Sequence, residues 1–149
     1  MKNRILSHRS ERGAAMLEVA LTLPMLLLVC VGIFEFGRAY QTWQVLTNAA
    51  REGARVAVLP SSKKADVEDR VKDYLQGGEL GKWADADVDV NQNATISIGA
   101  SNAKASIVTV DYPFSFMVLD GVVRLVSPAS TAGEDFTMSA SAEMRKESQ

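Results

Sequence analysis

The stretch that decides the fold is "AAMLEVALTLPMLLLVCVGIF", residues 14–34, in which Glu18 is the only side chain that carries a charge. At about 1.5 Å of rise per residue, a helix over this stretch reaches about 31 Å, close to the hydrocarbon thickness of a bilayer of about 30 Å. The stretch therefore predicts a single transmembrane helix. It also contains Cys30, the only cysteine of the chain, so no intrachain disulfide can form.

A cleavable secretory signal peptide is the alternative explanation, because it shares a basic start and an apolar run. Its apolar region is about 7 to 15 residues long, which is shorter than residues 14–34, and no small-residue cleavage site followed by polar chain comes directly after. The next residues instead include Phe36, Tyr40 and Trp43. Aromatic side chains of these types favour the membrane–water interface. We therefore expect the helix to be retained in the membrane.

The charges on the two sides of the span predict its orientation. Residues 1–13 are rich in lysine and arginine, whereas the rest of the chain is acidic overall. The positive-inside rule then makes residues 1–13 a basic cytosolic leader, residues 14–36 the transmembrane helix and residues 37–149 an extracytoplasmic domain.

Helical periodicity continues beyond the membrane and ends near Leu59, because Pro60 follows. One apolar stripe recurs at spacings of three and four, and it consists of Trp43, Leu46, Ala50, Ala54 and Ala57. Much of this face is small, since Gly53 also lies on it, so another backbone can approach closely. The stripe is compatible with packing on the domain's own sheet and with packing between subunits.

A short second helix is predicted over "KKADVEDRVKDYL", residues 63–75, with Ser62 as its N-cap and the Gly77–Gly78 pair as its end. Alternation with a period of two then predicts antiparallel strands. The alternating segments are "DADVDV" (85–90), "ATISI" (94–98), "SIVTVDY" (106–112) and "FTMSASAEM" (136–144). The fold class is α+β: a long N-terminal helix, a short second helix and a small antiparallel β-sheet packed on the long helix.

Alternating aspartates between Asp85 and Asp89 resemble a calcium-binding loop. Val90 replaces the turn glycine of such a loop and Ile96 its bidentate glutamate, so a solvated strand face is the better interpretation. His8, the only histidine, lies in the basic leader, which leaves no histidine triad or histidine metal site for the domain. A carboxylate pair of the glycosidase kind stays open as an alternative without support. We predict no catalytic residue, cofactor, metal or nucleic-acid partner.

Apolar side chains crowd one connection between strands, "FSFMVLDGVVRLV", residues 114–126. If this segment is exposed, it forms a candidate partner surface, because large contiguous apolar patches are unusual on monomers. The alternatives are that it folds back over the domain's own core or rests on the membrane.

Several blocks of residues 12–59 occur in an order that resembles a known family. They are a Gly-x4-Glu start, "LP" within the span, "EFGRAY" and "TNAAREGAR", and the later segments "VTVDYPF" and "MSASAEMR" extend the likeness. The pattern resembles the TadE-like family, minor pseudopilins of the tight-adherence (Flp, type IVc) pilus system. The resemblance implies a bacterial inner-membrane protein with one span and a periplasmic domain at residues 37–149. A membrane-anchored periplasmic enzyme is a disfavoured alternative, because the sequence offers no catalytic motif, and we expect no enzymatic activity.

Processing by a prepilin peptidase is also implied by the resemblance. Carried onto this chain, the cut follows Gly13, Ala14 becomes the new amino terminus, and Glu18 is the glutamate five residues after the cut. The implied partners are the peptidase and other Tad pilus components: other pseudopilins, the major pilin and the inner-membrane platform. The alternative function is a signal-anchored periplasmic binding or sensing module that uses the helix as a tether.

A physical role for Glu18 follows if the chain is cut before Ala14. The α-amino group of Ala14 is then a cation at the head of an apolar helix, and polar groups in lipid tend to be partnered. The Glu18 carboxylate can pair with that amine on its own helix or on a neighbour's. The alternative is a glutamate near the interface that is tolerated by snorkelling.

Overall fold

The computed structural model describes residues 7–99, 101–126 and 135–146. Its elements in chain order are α1 (Ser7–Ala57), α2 (Lys64–Gly77), a 3-10 turn η1 (Trp83–Asp85), β1 (Asp87–Ile98), β2 (Ser101–Phe114), α3 (Leu119–Val126) and β3 (Phe136–Arg145). The predicted α+β class is confirmed, with the long helix, the second helix and the antiparallel sheet all present. The helix α3 was not predicted.

The helix α1 is continuous through the predicted span and into the domain, with Pro24 inside it. It is long and apolar enough, by length and composition, to cross a membrane. Its end at Ala57 lies close to the predicted end at Leu59. The Ser106 hydroxyl of β2 donates a hydrogen bond to the Ala57 carbonyl at 3.1 Å, which satisfies one of the acceptors that a helix end leaves open.

The start of α2 differs from the prediction, because its N-cap is Lys63 and not Ser62. The Ser62 hydroxyl instead donates to the Leu59 carbonyl at 3.1 Å, so it serves the turn that follows α1. The Lys63 backbone N–H donates to the Asp66 carboxylate at 2.9 Å. This bond takes up a backbone donor at the helix start, as in a capping box.

The sheet has the strand order β1-β2-β3, with both neighbouring pairs antiparallel. The two predicted segments 85–90 and 94–98 belong to one strand, β1, whose register shifts between Asn91 and Ala94. Asp85 lies in η1 instead of a strand. The predicted alternation is confirmed in β1 and β3, where the small and apolar positions face the helices and the polar positions face water.

The core lies between the second half of α1, α2 and one face of the sheet. Its fully buried side chains are Leu46, Ala49, Ala50, Ala54, Val67, Val71, Leu75, Val108 and Val110. The small stripe of α1 therefore packs on the chain's own sheet and on α2, as the first of the two interpretations predicted. Trp43 does not join it, because Thr42 takes the buried position one turn before Leu46 and Trp43 is exposed.

The helix α1 comes close to two neighbouring elements at Gly53. A Cβ atom at this position would lie 2.6 Å from a methyl group of Val71 and 3.1 Å from one of Val108. The absence of a side chain thus lets α1 touch α2 and β2 at the same point. This contact fixes the domain against α1.

Candidate functional site

The environment of α1 changes at Glu35. Every residue from Gly13 to Cys30 is exposed in the chain, including its large apolar side chains. From Gly13 onward, Glu35 is the first fully buried residue of α1. A buried carboxylate is costly unless it is paired and hydrogen-bonded. Glu35 and its partners, Arg38 among them, form the junction between the apolar half of α1 and the domain.

The Glu35 carboxylate holds the start of α3. Its Oε1 atom accepts hydrogen bonds from the backbone N–H groups of Met117 at 2.8 Å, Val118 at 2.5 Å and Leu119 at 3.4 Å. The first N–H groups of a helix have no partner within the helix, and a negative charge there is favoured by the helix dipole. Glu35 thus caps a helix that lies about eighty residues further along the chain.

Arg38 completes the junction from the next turn of α1. Its Nη2 atom donates to Glu35 Oε2 at 3.2 Å and also to the Ser115 carbonyl. Its guanidinium lies 4.9 Å from the ring centroid of Phe114. The two side chains therefore join α1 to the segment between β2 and α3 through a charge pair, backbone hydrogen bonds and a cation–π contact.

Three aromatic rings pack beside this charge pair. Phe114 lies 5.4 Å from both Phe116 and Phe136 between ring centroids, and the last two lie 5.7 Å apart. Such spacing is typical of favourable aromatic contacts. The predicted apolar segment 114–126 is therefore divided: its first part belongs to the core, as one alternative predicted, and Met117 and Val118 remain exposed.

The sequence did not identify Glu35 as a site residue. The block "EFGRAY" contains both Glu35 and Arg38, whose spacing of three along a helix brings them together. The contact between these two side chains could therefore be predicted from the sequence. The three backbone donors to Glu35 could not be predicted, because they lie at and just before the start of a helix that local periodicity did not predict.

The predicted processing residues Gly13, Ala14 and Glu18 all lie in α1 and are exposed. The hydroxyl of Thr22 donates to the Glu18 backbone carbonyl at 2.8 Å. A Cβ atom at Gly13 would meet nothing within 4 Å. These placements neither test cleavage nor assign a partner to the Glu18 carboxylate, so the roles of the three residues stay predictions.

The aspartates considered for calcium do not converge. Asp87 and Asp89 lie on the exposed face of β1, whereas Asp85 lies in η1. Within residues 7–99, 101–126 and 135–146, no three His, Cys, Asp or Glu side chains come together as a metal ion would require.

A groove of about 360 Å³ opens beside the junction, between Arg38 and the turn after α2. Two of its polar groups bond to each other, since the Lys82 backbone N–H donates to the Tyr112 hydroxyl at 3.3 Å. The Lys82 ammonium pairs with Asp135 at 3.1 Å. These bonds hold the turn after α2 against the sheet.

A second charge cluster fastens α2 to α1. Glu52 accepts hydrogen bonds from Arg55 on its own helix and from Arg70 on α2, both with an Nη2 distance of 2.8 Å. The hydrogen bonds from Arg55 and then from Arg70 lower the pKa of Glu52 from 4.5 to about 2. The carboxylate is therefore charged at neutral pH and holds the two helices together.

Residues 13–55 match the model of a family described as TadE-like protein. The matched range contains the apolar span, both side chains of the charge pair at the junction, and the part of α1 that packs on the sheet. Searches among curated proteins and among solved structures returned no match.

Proposed function

We propose that this chain, which carries a TadE-like segment at residues 13–55, is a minor pseudopilin-like structural component of tight-adherence (Flp, type IVc) pilus biogenesis. The proposal rests on one observation: the family match falls on a helix whose apolar half is exposed among the residues that the structure describes. One face of the other half of the same helix is buried against a folded domain.

The attachment of the domain to α1 supports a structural role in the pilus. The domain is attached to α1 at Gly53, at the cluster around Glu52 and at Glu35. Because α1 is continuous between these points and the apolar half, the domain is joined directly to the membrane helix. This direct connection supports a structural role for the chain.

The proposal includes the topology. Residues 1–13 are the cytosolic leader, residues 14–36 span the inner membrane and residues 37–149 form the periplasmic domain. A reporter that is active only in the periplasm, fused after Gln149, is expected to be active. Activity of a cytosol-specific reporter at the same position would contradict both the orientation and the pilus function.

Processing is the second part of the proposal. A prepilin peptidase cuts after Gly13, and the Glu18 carboxylate then pairs with the new amino group of Ala14. Gly13→Leu is expected to block the cut by crowding the scissile carbonyl. Intact-mass measurement of the membrane-extracted protein detects the loss of residues 1–13, and an uncut wild-type chain in a strain with normal pili would refute processing.

Glu18→Gln separates the cut from the later pairing. We expect cleavage to continue and pilus assembly to fall, because only the charge is lost. Glu11→Gln is the matched control, since residue 11 leaves with the leader, and it should assemble normally. Membrane insertion should survive, because even an acid at the centre of a span costs only about 2.5 to 3.5 kcal/mol on translocon scales.

A strain that lacks this chain tests the function as a whole. The proposal predicts few or no pili, with recovery by the wild-type chain and not by Gly13→Leu. A tethered periplasmic binding or sensing module is the competing function. It predicts normal pili in the deletion strain and no need for Gly13, so the same experiment separates the two.

A further inference from the structure

The turn between β2 and α3 lies at the level where the apolar half of α1 ends. Its backbone N–H groups at Met117 and Val118 contact the Glu35 carboxylate directly. Glu35 follows the last residue of the apolar run by one position. The contact therefore fixes the height of this turn relative to the span, independently of how the rest of the domain is oriented.

The two side chains of this turn are apolar and uncovered. Met117 is 67% exposed and Val118 is 38% exposed. Ile33, Phe34 and Phe36 of α1 are exposed at the same level. The turn thus extends the uncovered apolar surface of the span sideways, from one helix onto the domain.

We infer that the Met117–Val118 turn and the first turn of α3 lie in the membrane interface, with both side chains inserted among the lipids. The inference rests on the membrane anchoring of α1, which is part of the proposed function. It holds for either orientation of the chain, because it depends only on the distance of the turn from the span.

The hydrogen bonding of the turn favours lipid as the occupant. Backbone polar groups that enter an apolar medium must be satisfied within the protein. The N–H groups at the start of a helix are the ones that usually lack a partner. Here Glu35 accepts from Leu119, the first residue of α3, and from Met117 and Val118 of the turn before it. A turn exposed to water does not need a buried carboxylate for this purpose.

The charged side chains of α3 are compatible with the same position. Asp120 and Arg124 lie one turn apart, and the Arg124 Nε atom donates to the Asp120 carboxylate at 2.7 Å. Val122 and Val123 between them are half-buried. Helices with an apolar and a charged face commonly lie in the interface with the apolar face about 5–10 Å deep.

A depth measurement on the full chain tests the inference. In a Cys30→Ser background, Met117→Cys is labelled with a nitrobenzoxadiazole fluorophore and reconstituted into phosphatidylcholine–phosphatidylglycerol liposomes. Quenching is measured with aqueous iodide and with lipids that carry a nitroxide at the fifth acyl carbon. Val29→Cys within the span and Ala65→Cys on the exposed face of α2 are the reference positions.

The Met117 label is expected to be quenched by the lipid nitroxide and to be about threefold less sensitive to iodide than the Ala65 label, as an interfacial position should be. Iodide quenching equal to that at Ala65 would overturn the inference. Protection from both quenchers would also overturn it, because protein and not lipid would then cover the turn.

Two further measurements keep this result interpretable. Val118→Cys should give the same pattern, so a local distortion at one position does not decide the outcome, and circular dichroism confirms that each variant is folded. If the Val29 label also escapes the lipid nitroxide, then the anchoring itself fails and the inference fails with it. The deletion strain tests the pilus function separately, because the quenching measurements do not depend on whether pili form.

Discussion

The two halves of α1 have the same backbone structure and opposite surroundings. Between Gly13 and Cys30 every side chain is exposed, and most of them are large and apolar. From Leu46 to Ala57 the inward face is buried and consists mainly of alanine and glycine. The comparison teaches that side-chain size and position, and not helix formation, decide whether a helix is suited to lipid or to a protein core.

The boundary between the halves is itself a built structure. A helix satisfies its own backbone hydrogen bonds, which is why it can enter lipid without a partner. The buried half instead needs neighbours that come close, and Gly53 permits this contact. Glu35 lies at the position along α1 where the exposed half ends and the buried half begins. The hydrogen bond that it accepts from the Val118 N–H holds the segment before α3 at this position.

Removal of the Glu35 carboxylate should cause the largest loss of unfolding free energy. Glu35→Leu leaves the donors of Met117, Val118 and Leu119 and the charge of Arg38 unpaired, which should cost about 3 kcal/mol of unfolding free energy. Glu35→Gln keeps one acceptor and should cost about half of that. Urea unfolding of the detergent-solubilised full chain, followed by tryptophan fluorescence, measures both.

Glu68→Leu is the control, since its partner Lys64 lies 3.7 Å away on an exposed helix face. Surface pairs contribute about 0–1 kcal/mol, so its unfolding curve should stay close to that of the wild type. A Glu35→Leu curve that overlaps that of the control would show that the junction does not hold α3.

A substitution at Gly53, where α1 lies close to α2 and β2, should cause the next largest loss of stability. In Gly53→Ala the added methyl group would lie 2.6 Å from Val71, and overpacking of this kind costs about 1–3 kcal/mol. The gain in helix propensity offsets at most about 1 kcal/mol of this. Thermal unfolding should therefore show a lower midpoint.

Gly77→Ala in α2 is the matched variant, because a Cβ atom there would meet nothing within 4 Å. Helix propensity then acts alone, and the midpoint should stay the same or rise. Equal shifts in the two variants would contradict the tight contact between α1 and its neighbours.

The Glu52 cluster predicts a smaller, pH-dependent effect. Because its pKa falls from 4.5 to about 2 on folding, the stabilisation is fully present above pH 4.5 and is lost as the pH falls towards 2. Its partners Arg55 and Arg70 are about half exposed, so screening limits the contribution to about 1 kcal/mol. Glu52→Gln should reduce the slope of stability against pH in this window, and an unchanged slope would contradict the assignment.

Local sequence periodicity was enough to predict α1, α2 and the alternating strands, because each of these buries one regular face of its own sequence. It did not predict α3, since Gly121 and the β-branched pair Val122–Val123 are poor helix formers. The start of α3 is fixed by Glu35 from another part of the chain. No local pattern could reveal that contact.

The choice between Trp43 and Thr42 shows the same limit within one helix. Both fit a spacing of three to four residues from Leu46, and only the position of the sheet and of α2 decides which one is buried. The processing roles of Gly13, Ala14 and Glu18 were predicted from a family resemblance. Their exposed positions on α1 do not test those roles.

The most direct test of the account uses two positions that are equally exposed within the chain itself. Leu21 is 66% exposed and Tyr40 is 63% exposed, on opposite sides of Glu35. Leu21→Cys and Tyr40→Cys are made separately in a Cys30→Ser background, and the full chains are reconstituted into liposomes and treated with a membrane-impermeant maleimide. If the apolar half of α1 lies in lipid, Tyr40→Cys reacts and Leu21→Cys reacts only after detergent is added. Equal reaction at both positions in intact liposomes would contradict the division of α1 into a lipid half and a protein half.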